Sequence, residues 1–322
     1  MSADGLPRQM RSAALALLAA LGDEQRALAA TPFADDAARR WLEYRPRRRP
    51  GASIARMSET ARKAAHRLLA TGLSEHAYAQ AMTIIALEEV LDRREGWRRG
   101  RHSNDYWVNV FGDPAGDVPW SWRFEGHHLS VTMTVAGDQV SPAPVFFGAN
   151  PACVSYAGRP VSRPLAPEED LAQVLLDAMA PTERDLAVVS GRAPDDIRTG
   201  RSPQAREAIQ PLGVAAGELG SGARAVLGEL VMAYLDRLPG ELAAREADRL
   251  AGGELHFAWE GPVRSSAPHY YRVQGDDLLI EYDTTNDGNH AHTVLRRPRS
   301  DFGDDVLAEH YRRAHGAAGT NG

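Results

Sequence analysis

Four of the chain's 11 histidines fall in two short stretches, His127 and His128 in "EGHHLSVTMTV" and His290 and His292 in "NHAHTVLRR". Imidazole is the commonest side-chain ligand for transition metals, and it also exchanges protons near neutral pH. His290 and His292 are two apart, so in a strand they project from one face about 7 Å apart, given a rise of roughly 3.3 Å per residue. That spacing lets two ring nitrogens reach one cation at about 2 Å each. The first stretch reads as part of one strand, "WSWRFEGHHLSVTMTVAGD". Its alternation puts His127 on the face of Arg123, Glu125, Leu129 and Val131, and His128 on the face of Trp122, Phe124, Ser130 and Thr132. Both can bind one ion only where the strand bends or bulges, which Gly126 permits. Otherwise one of the two is a ligand and its neighbour is structural.

The strand ahead of the second pair, "DLLIEYD", holds Glu281 and Asp283 on the face opposite to Tyr282. Asp287-Gly288 in "TTNDGN" supplies the positive φ angles of a tight hairpin turn, which would stand a carboxylate across from the histidines. Glu281 is accordingly a candidate metal ligand and a candidate general base. Two imidazoles and a carboxylate make a facial iron site or an open zinc site, and a further imidazole shifts the preference toward copper. The cofactor expected is therefore a transition metal ion, copper or iron favoured over zinc. Arg272 in "HYYRVQG" is a candidate catalytic clamp for a substrate carboxylate, with Tyr271 or Tyr270 beside it; the competing assignment is a salt bridge to Glu281 or Asp283. The plain assignment for either histidine group alone is ordinary polarity at a strand end. Their occurrence in two strands of one expected sheet is what favours a metal.

Composition narrows the class. A chain of 322 residues, 43 % apolar and 25 % charged, can bury a substantial core. The formal charge of −6 argues against nucleic acid as a partner, since phosphate neutralisation needs an excess of Lys and Arg. The single cysteine, Cys153, precludes an internal disulfide. The Ala-rich run after "RQMR" continues as a helix into "GDEQRALAA" without a cleavage-like end, and no stretch reaches the roughly 20 apolar residues of a membrane span. The expectation is a cytoplasmic protein acting on a small molecule, with no membrane partner.

The elements that must position these residues follow from periodicity. Residues 8–100 read as helical, with Ser58 and Ser74 as N-caps, Gly72 as a stop between two helices, and the arginine-rich "RPRRRPG" as an exposed loop open to an anionic substrate or partner. Residues 104–150 form a first β block and 163–250 a helical region, within which 190–223 is a long loop of the kind that covers sites. Residues 253–298 form a second β block, and 300–315 a C-terminal helix with Ser300 as its cap. The reading is a single α+β domain over 1–322, whose two separated β blocks join one antiparallel sheet packed with N-terminal, central and C-terminal helices.

Taken in order, "MTIIALEEVL", "YWVNVFGDP", "WSWRFEGHHLSV", "VFFGANPA", "HYYRVQGDDLLIEYD" and "NHAHTVLRRPRSDFGDDVLAEHY" resemble the bacterial and fungal domain-of-unknown-function family numbered 3500, from about residue 10 to residue 315. The resemblance implies that the N-terminal helix belongs to the domain, and it brings no activity with it. The first functional expectation is a metalloenzyme of oxidoreductase or oxygenase type with His127 or His128, His290, His292 and Glu281 around one ion. Arg272 would hold an anionic substrate group under the 190–223 segment. The alternatives are a hydrolase using Glu281 as base and a histidine as acid, and a non-catalytic protein binding a ligand on the sheet.

Overall fold

The computed structural model describes residues 5–205, 210–263, 267–285 and 288–316. The first β block supplies β1 (Ala30–Thr31), β2 (Ala52–Ser53), β3 (Tyr106–Phe111), β4 (Trp120–Gly126), β5 (Leu129–Ala136) and β6 (Gln139–Ala149). A small separate hairpin, β7 (Val154–Tyr156) and β8 (Arg159–Ser162), follows. The second block supplies β9 (Val188–Ser190), β10 (Val214–Ala215), β11 (His256–Glu260), β12 (Tyr270–Gln274), β13 (Leu279–Thr285) and β14 (His290–Arg296). The helices are α1 (Leu6–Ala20), α2 (Asp23–Ala29), α3 (Asp36–Arg39), α4 (Glu59–Thr71) and α5 (Glu75–Arg94) in the first third. They continue as α6 (Ala166–Ala178), α7 (Pro181–Ala187), α8 (Ser221–Leu235), α9 (Gly240–Leu250) and α10 (Asp304–Gly316).

The two β blocks do join. A 12-stranded sheet runs β1-β3-β4-β5-β6-β14-β13-β12-β11-β10, with β2 also on β3 and β9 also on β11. The fold is α+β as expected, but the sheet is mixed rather than purely antiparallel. β1 lies parallel to β3, and β9 parallel to β11. Each of these short strands continues directly from a helix, α2 or α7, which delivers the chain to its neighbour already running the same way.

The two faces differ in chemistry. Trp122, Phe124, Val131, Met133, Val145, Phe147, Tyr271, Tyr282 and Leu295 point to one side and join a continuous core with α1, α4, α5, α6, α8 and α9. The other face carries Arg123, Glu125, Ser130, Arg272, Glu281, Asp283, His292 and Arg296, all buried. It is covered mainly by coil, with the single-turn α3 and the start of α10, and not by a layer of long helices. Leu42, Tyr44 and Ile197 from two covering segments close over Phe146 and Val294 as a second, small apolar cluster. From the third cover, the turn ahead of α10, the Phe302 carbonyl accepts from Arg39 at 2.8 Å and from Thr134 at 3.0 Å.

Several local expectations change. The single strand through "EGHHLSV" is a hairpin: Gly126 pairs with Leu129, and His127-His128 are its two turn residues. The reversal resets the alternation, so Arg123 and Glu125 share a face with Ser130 and Thr132, not with Val131. The N-terminal helix breaks at Leu21-Gly22 into α1 and α2. Ser58 and Ser74 do cap α4 and α5, accepting from Ala61 N and Ala77 N. Gly72 ends α4 at an ordinary negative φ, and it is needed for space, because a Cβ there would lie 2.8 Å from the Trp122 ring. Ser300 does not cap α10, which starts at Asp304; its hydroxyl donates to Asp277. Of the expected Asp287-Gly288 turn, Asp287 lies outside the described residues, while Gly288 has a φ of 77°. No helix among the described residues is long and apolar enough to cross a membrane.

Gly126 fixes the entry to the turn. A Cβ there would sit 2.1 Å from the buried Tyr106 ring, whose hydroxyl donates to the His127 carbonyl at 2.8 Å. Gly126→Ala should therefore cost about 1–3 kcal/mol, the usual penalty of overfilling a close-packed site. Urea unfolding checks this, and an unchanged midpoint would show that the ring is not held as described.

Candidate metal centre

His128 is the turn residue that must adopt a left-handed backbone, at φ 61°. This region costs a non-glycine residue roughly 1–2 kcal/mol, and such strain concentrates at functional sites. Its backbone is clamped on both sides: the amide donates to the Tyr44 carbonyl at 3.0 Å, and the carbonyl accepts from Gly148 N at 2.7 Å. The imidazole then lies over Gly148, where a Cβ would come within 2.8 Å of its Cδ2. Gly148 is the register partner of His292, so the missing side chain on β6 is what lets a ring from the turn reach β14.

There His128 Nε2 stands 2.8 Å from His290 Nε2. The three rings of His128, His290 and His292 have centroids 4.6–5.3 Å apart. One nitrogen of each lies within 4.8 Å of the other two. Nitrogens sharing one cation at about 2.0–2.1 Å must themselves be about 3.0–3.4 Å apart, so small ring movements suffice to seat an ion. These buried histidine and acidic groups could hold a metal ion.

Behind His292 stand two carboxylates. Its Nδ1 is 3.1 Å from Asp196 and 3.2 Å from Asp283, and the Tyr44 hydroxyl donates to the far oxygen of Asp196 at 2.8 Å. Burial alone would lower the His292 pKa, but the Asp283 charge and the contacts with both carboxylates outweigh it and raise it to about 9. His128 goes the other way: burial and the neighbouring imidazoles hold it well below its usual value. An imidazole whose Nδ1 faces carboxylates presents Nε2 outward in a fixed orientation, the common arrangement behind metal-bound histidines.

His127 takes a different partner. Its ring stacks on His128 at 3.7 Å between centroids, and its Nδ1 is 2.5 Å from Glu88 of α5. Burial pushes Glu88 up to about 8 and His127 down to about 2, so the pair favours its uncharged form. The turn is also tied to the arginine-rich loop. Arg49 donates to the Gly126 carbonyl at 2.8 Å and to the Glu43, Arg45 and Arg47 carbonyls.

The sequence candidates thus separate. His128, His290 and His292 are brought together, and His127 adjoins them through His128. Glu281 faces Val294, while Asp283 faces His292. Glu281 instead accepts from Arg198 N at 2.7 Å, Tyr270 Oη at 2.9 Å and the Thr199 hydroxyl, which pins residues 198–199 across the sheet. Arg272 pairs in register with Glu281 and donates to the Gln210 carbonyl at 2.8 Å beneath the same covering segment. Tyr271 points to the helical side, where its hydroxyl meets Tyr234 at 2.7 Å and the Glu168 carbonyl at 2.9 Å. Three further residues reach the site without being expected there. Glu88 is detectable in the sequence, since 77, 81, 84, 88 and 91 form one buried stripe of α5 with a carboxylate in an apolar position. Asp196 and Tyr44 lie in irregular segments, where no periodicity marks them.

The family model described as "Protein of unknown function (DUF3500)" matches residues 5–304 of the 322. The chain belongs to this family. No curated protein and no solved structure matches it. The two histidine blocks, both among the segments that resemble DUF3500, are the ones that converge. The match begins within one residue of α1, consistent with that helix being part of the domain.

The raised pKa of His292 makes a pH prediction for the metal-free DUF3500 chain. A histidine raised above its unfolded value contributes stability that is complete below about 6.5 and is lost as pH rises through about 9. Asp283→Asn should bring the His292 transition down toward neutrality, as followed by the ring proton shifts in NMR. Equal midpoints in the two proteins would remove Asp283 as the cause.

Proposed function

We propose that the protein is a metal-dependent enzyme with a mononuclear centre ligated by His128, His290 and His292. The observation that carries this reading is the convergence of imidazoles 162 positions apart, 2.8 Å between nitrogens, at a strained turn. Three neutral imidazole ligands suit copper or iron at least as well as zinc, so the chemistry favoured is oxidative, on a small organic substrate. When bound, the ion supplies Lewis acidity or dioxygen activation.

The chain's own groups do the rest. Asp283 and Asp196 orient the His292 ring and raise its basicity as a ligand. Glu281 is committed to Thr199, Arg198 and Tyr270, which leaves it no general-base role, and Asp196 is held by His292 Nδ1, the Tyr44 hydroxyl and Ile197 N. Tyr44 and Phe146, stacked at 4.1 Å, make a dry wall beside His292. Hydrolysis at a zinc ion held by the same three histidines is the second reading, favoured by three imidazoles being a known ligand set of open zinc sites.

Metal analysis of protein purified without a metal-affinity column tests the proposal. About one equivalent of copper or iron per chain is expected, with a visible absorption band for Cu(II) or Fe(III); zinc without a band would select the hydrolytic reading. His290→Ala and His292→Ala should each lose the metal and keep the far-ultraviolet circular dichroism of the parent. Asp283→Asn should weaken metal affinity by about 10–100-fold, the usual effect of removing a group that orients a ligand. Full metal occupancy in both alanine variants would overturn the centre.

A further inference from the structure

A groove of about 480 Å³ lies on the outer side of the histidine turn, within the size of small-molecule sites, roughly 300–1,000 Å³. Arg47, Arg48 and Arg49 of the "RPRRRP" loop form one wall, and Arg99 and Arg101 from the segment after α5 form the other. Trp107 and Pro46 give it apolar surface, and His127 lies among its lining residues. The acidic lining residues are Glu88 and Asp105.

The positive charge here is only partly neutralised. Glu43 pairs with Arg45, Arg47 and Arg201, and Glu95 with Arg99 and Arg101, with Glu88 and Asp92 adding their influence at Arg101. Arg49 is satisfied by backbone carbonyls, which leave its charge in place. Arg101 is only 8 % exposed, and its bidentate hold on Glu95 fixes the guanidinium, yet its Nη1 has no hydrogen-bond partner among the described residues. A buried charged N–H without an acceptor is costly, and an anionic oxygen would satisfy it.

We infer that this groove binds the carboxylate of a small planar organic acid, with Arg101 and Arg48 at the carboxylate and Trp107 and Pro46 along the body. The Arg48 guanidinium offers a fork that matches a planar carboxylate with two parallel hydrogen bonds, and Arg101, whose Nε and Nη2 hold Glu95, adds its remaining Nη1. Inorganic phosphate fits less well. It can use the same guanidinium forks, but it leaves the apolar surface of Trp107 and Pro46 uncovered. The acid would sit against His127, whose ring stacks on His128. The inference rests on the metal reading only in naming this ligand the substrate; the binding itself needs no ion.

Titrations with benzoate, benzamide and inorganic phosphate test it, read by tryptophan fluorescence with Trp107→Phe as the control and by calorimetry. Benzoate should bind saturably to the full chain, with or without added metal, at least tenfold more tightly than benzamide or phosphate. Arg101→Gln and Arg48→Gln should each weaken benzoate binding about tenfold. The exposed Arg48 can be changed without disturbing the fold, which covers the case in which the Arg101 variant unfolds. His290→Ala should leave benzoate binding intact, so loss of the metal centre and loss of the groove are read separately. Equal affinity for benzamide, equal affinity for phosphate, or no effect of Arg48→Gln would overturn the assignment.

Discussion

The pairing of β6 with β14 is the constraint on which the site depends. It is the seam between the two β blocks, and its register sets Gly148 opposite His292. On the helical side the same register packs Ala149 by Ala291, Phe147 by Thr293 and Val145 by Leu295, all buried. A slip of one residue would turn His290 and His292 into that core and bring apolar side chains to the polar side. The apolar packing of one face thus specifies the imidazole geometry of the other. His128 is bound to the same seam through its carbonyl and the Gly148 amide.

The polar face is expensive to keep. Arg123 and Glu125 form an ion pair with both side chains fully buried, and Asp283, Glu281 and Arg296 are also without exposure. Such pairs in low dielectric roughly break even against apolar replacements of similar volume, so they do not explain themselves through stability. What they share is position: they and the backbone carbonyls they bind fix the three covering segments. Arg123 donates to the Ala38 and Arg39 carbonyls, and Glu281 accepts from Arg198 and Thr199. These segments deliver Tyr44 and Asp196 to the histidines, which the sheet alone could not do.

Much of this is legible in the residues themselves. The periodicity of two in "HAHTVLRR" puts His290 and His292 on one face, and alternation locates each β block. The same period places Glu281 and Asp283 together on the face that the structure gives them. The choice between those two carboxylates is not accessible, because it turns on hairpin register, which depends on a turn whose length composition does not fix. The His127-His128 turn is hidden for a related reason. Hairpin turns usually announce themselves with Gly or Asn at positive φ, and here a histidine occupies that position. Read as one strand, the segment puts Arg123 and Glu125 on the face of Leu129 and Val131, and this change of phase at His127-His128 is the signal of the turn that the residues do carry. Asp196 and Tyr44 reach the site through covering coil, where side-chain direction follows from tertiary contacts and no period exists to read.

The electrostatics of the cluster explain why its histidines differ. With Asp196 and Asp283 both ionised, the region carries two negative charges against one on the His292 imidazolium. His128 cannot supply the balance, since burial and the adjacent rings oppose its protonation. A divalent cation bound at the three nitrogens would displace the His292 proton and bring the sum to zero, so the carboxylates that hold the proton would also favour such an ion. The exchange grows more favourable as pH rises, because the proton lost from His292 goes to a solution that holds fewer of them.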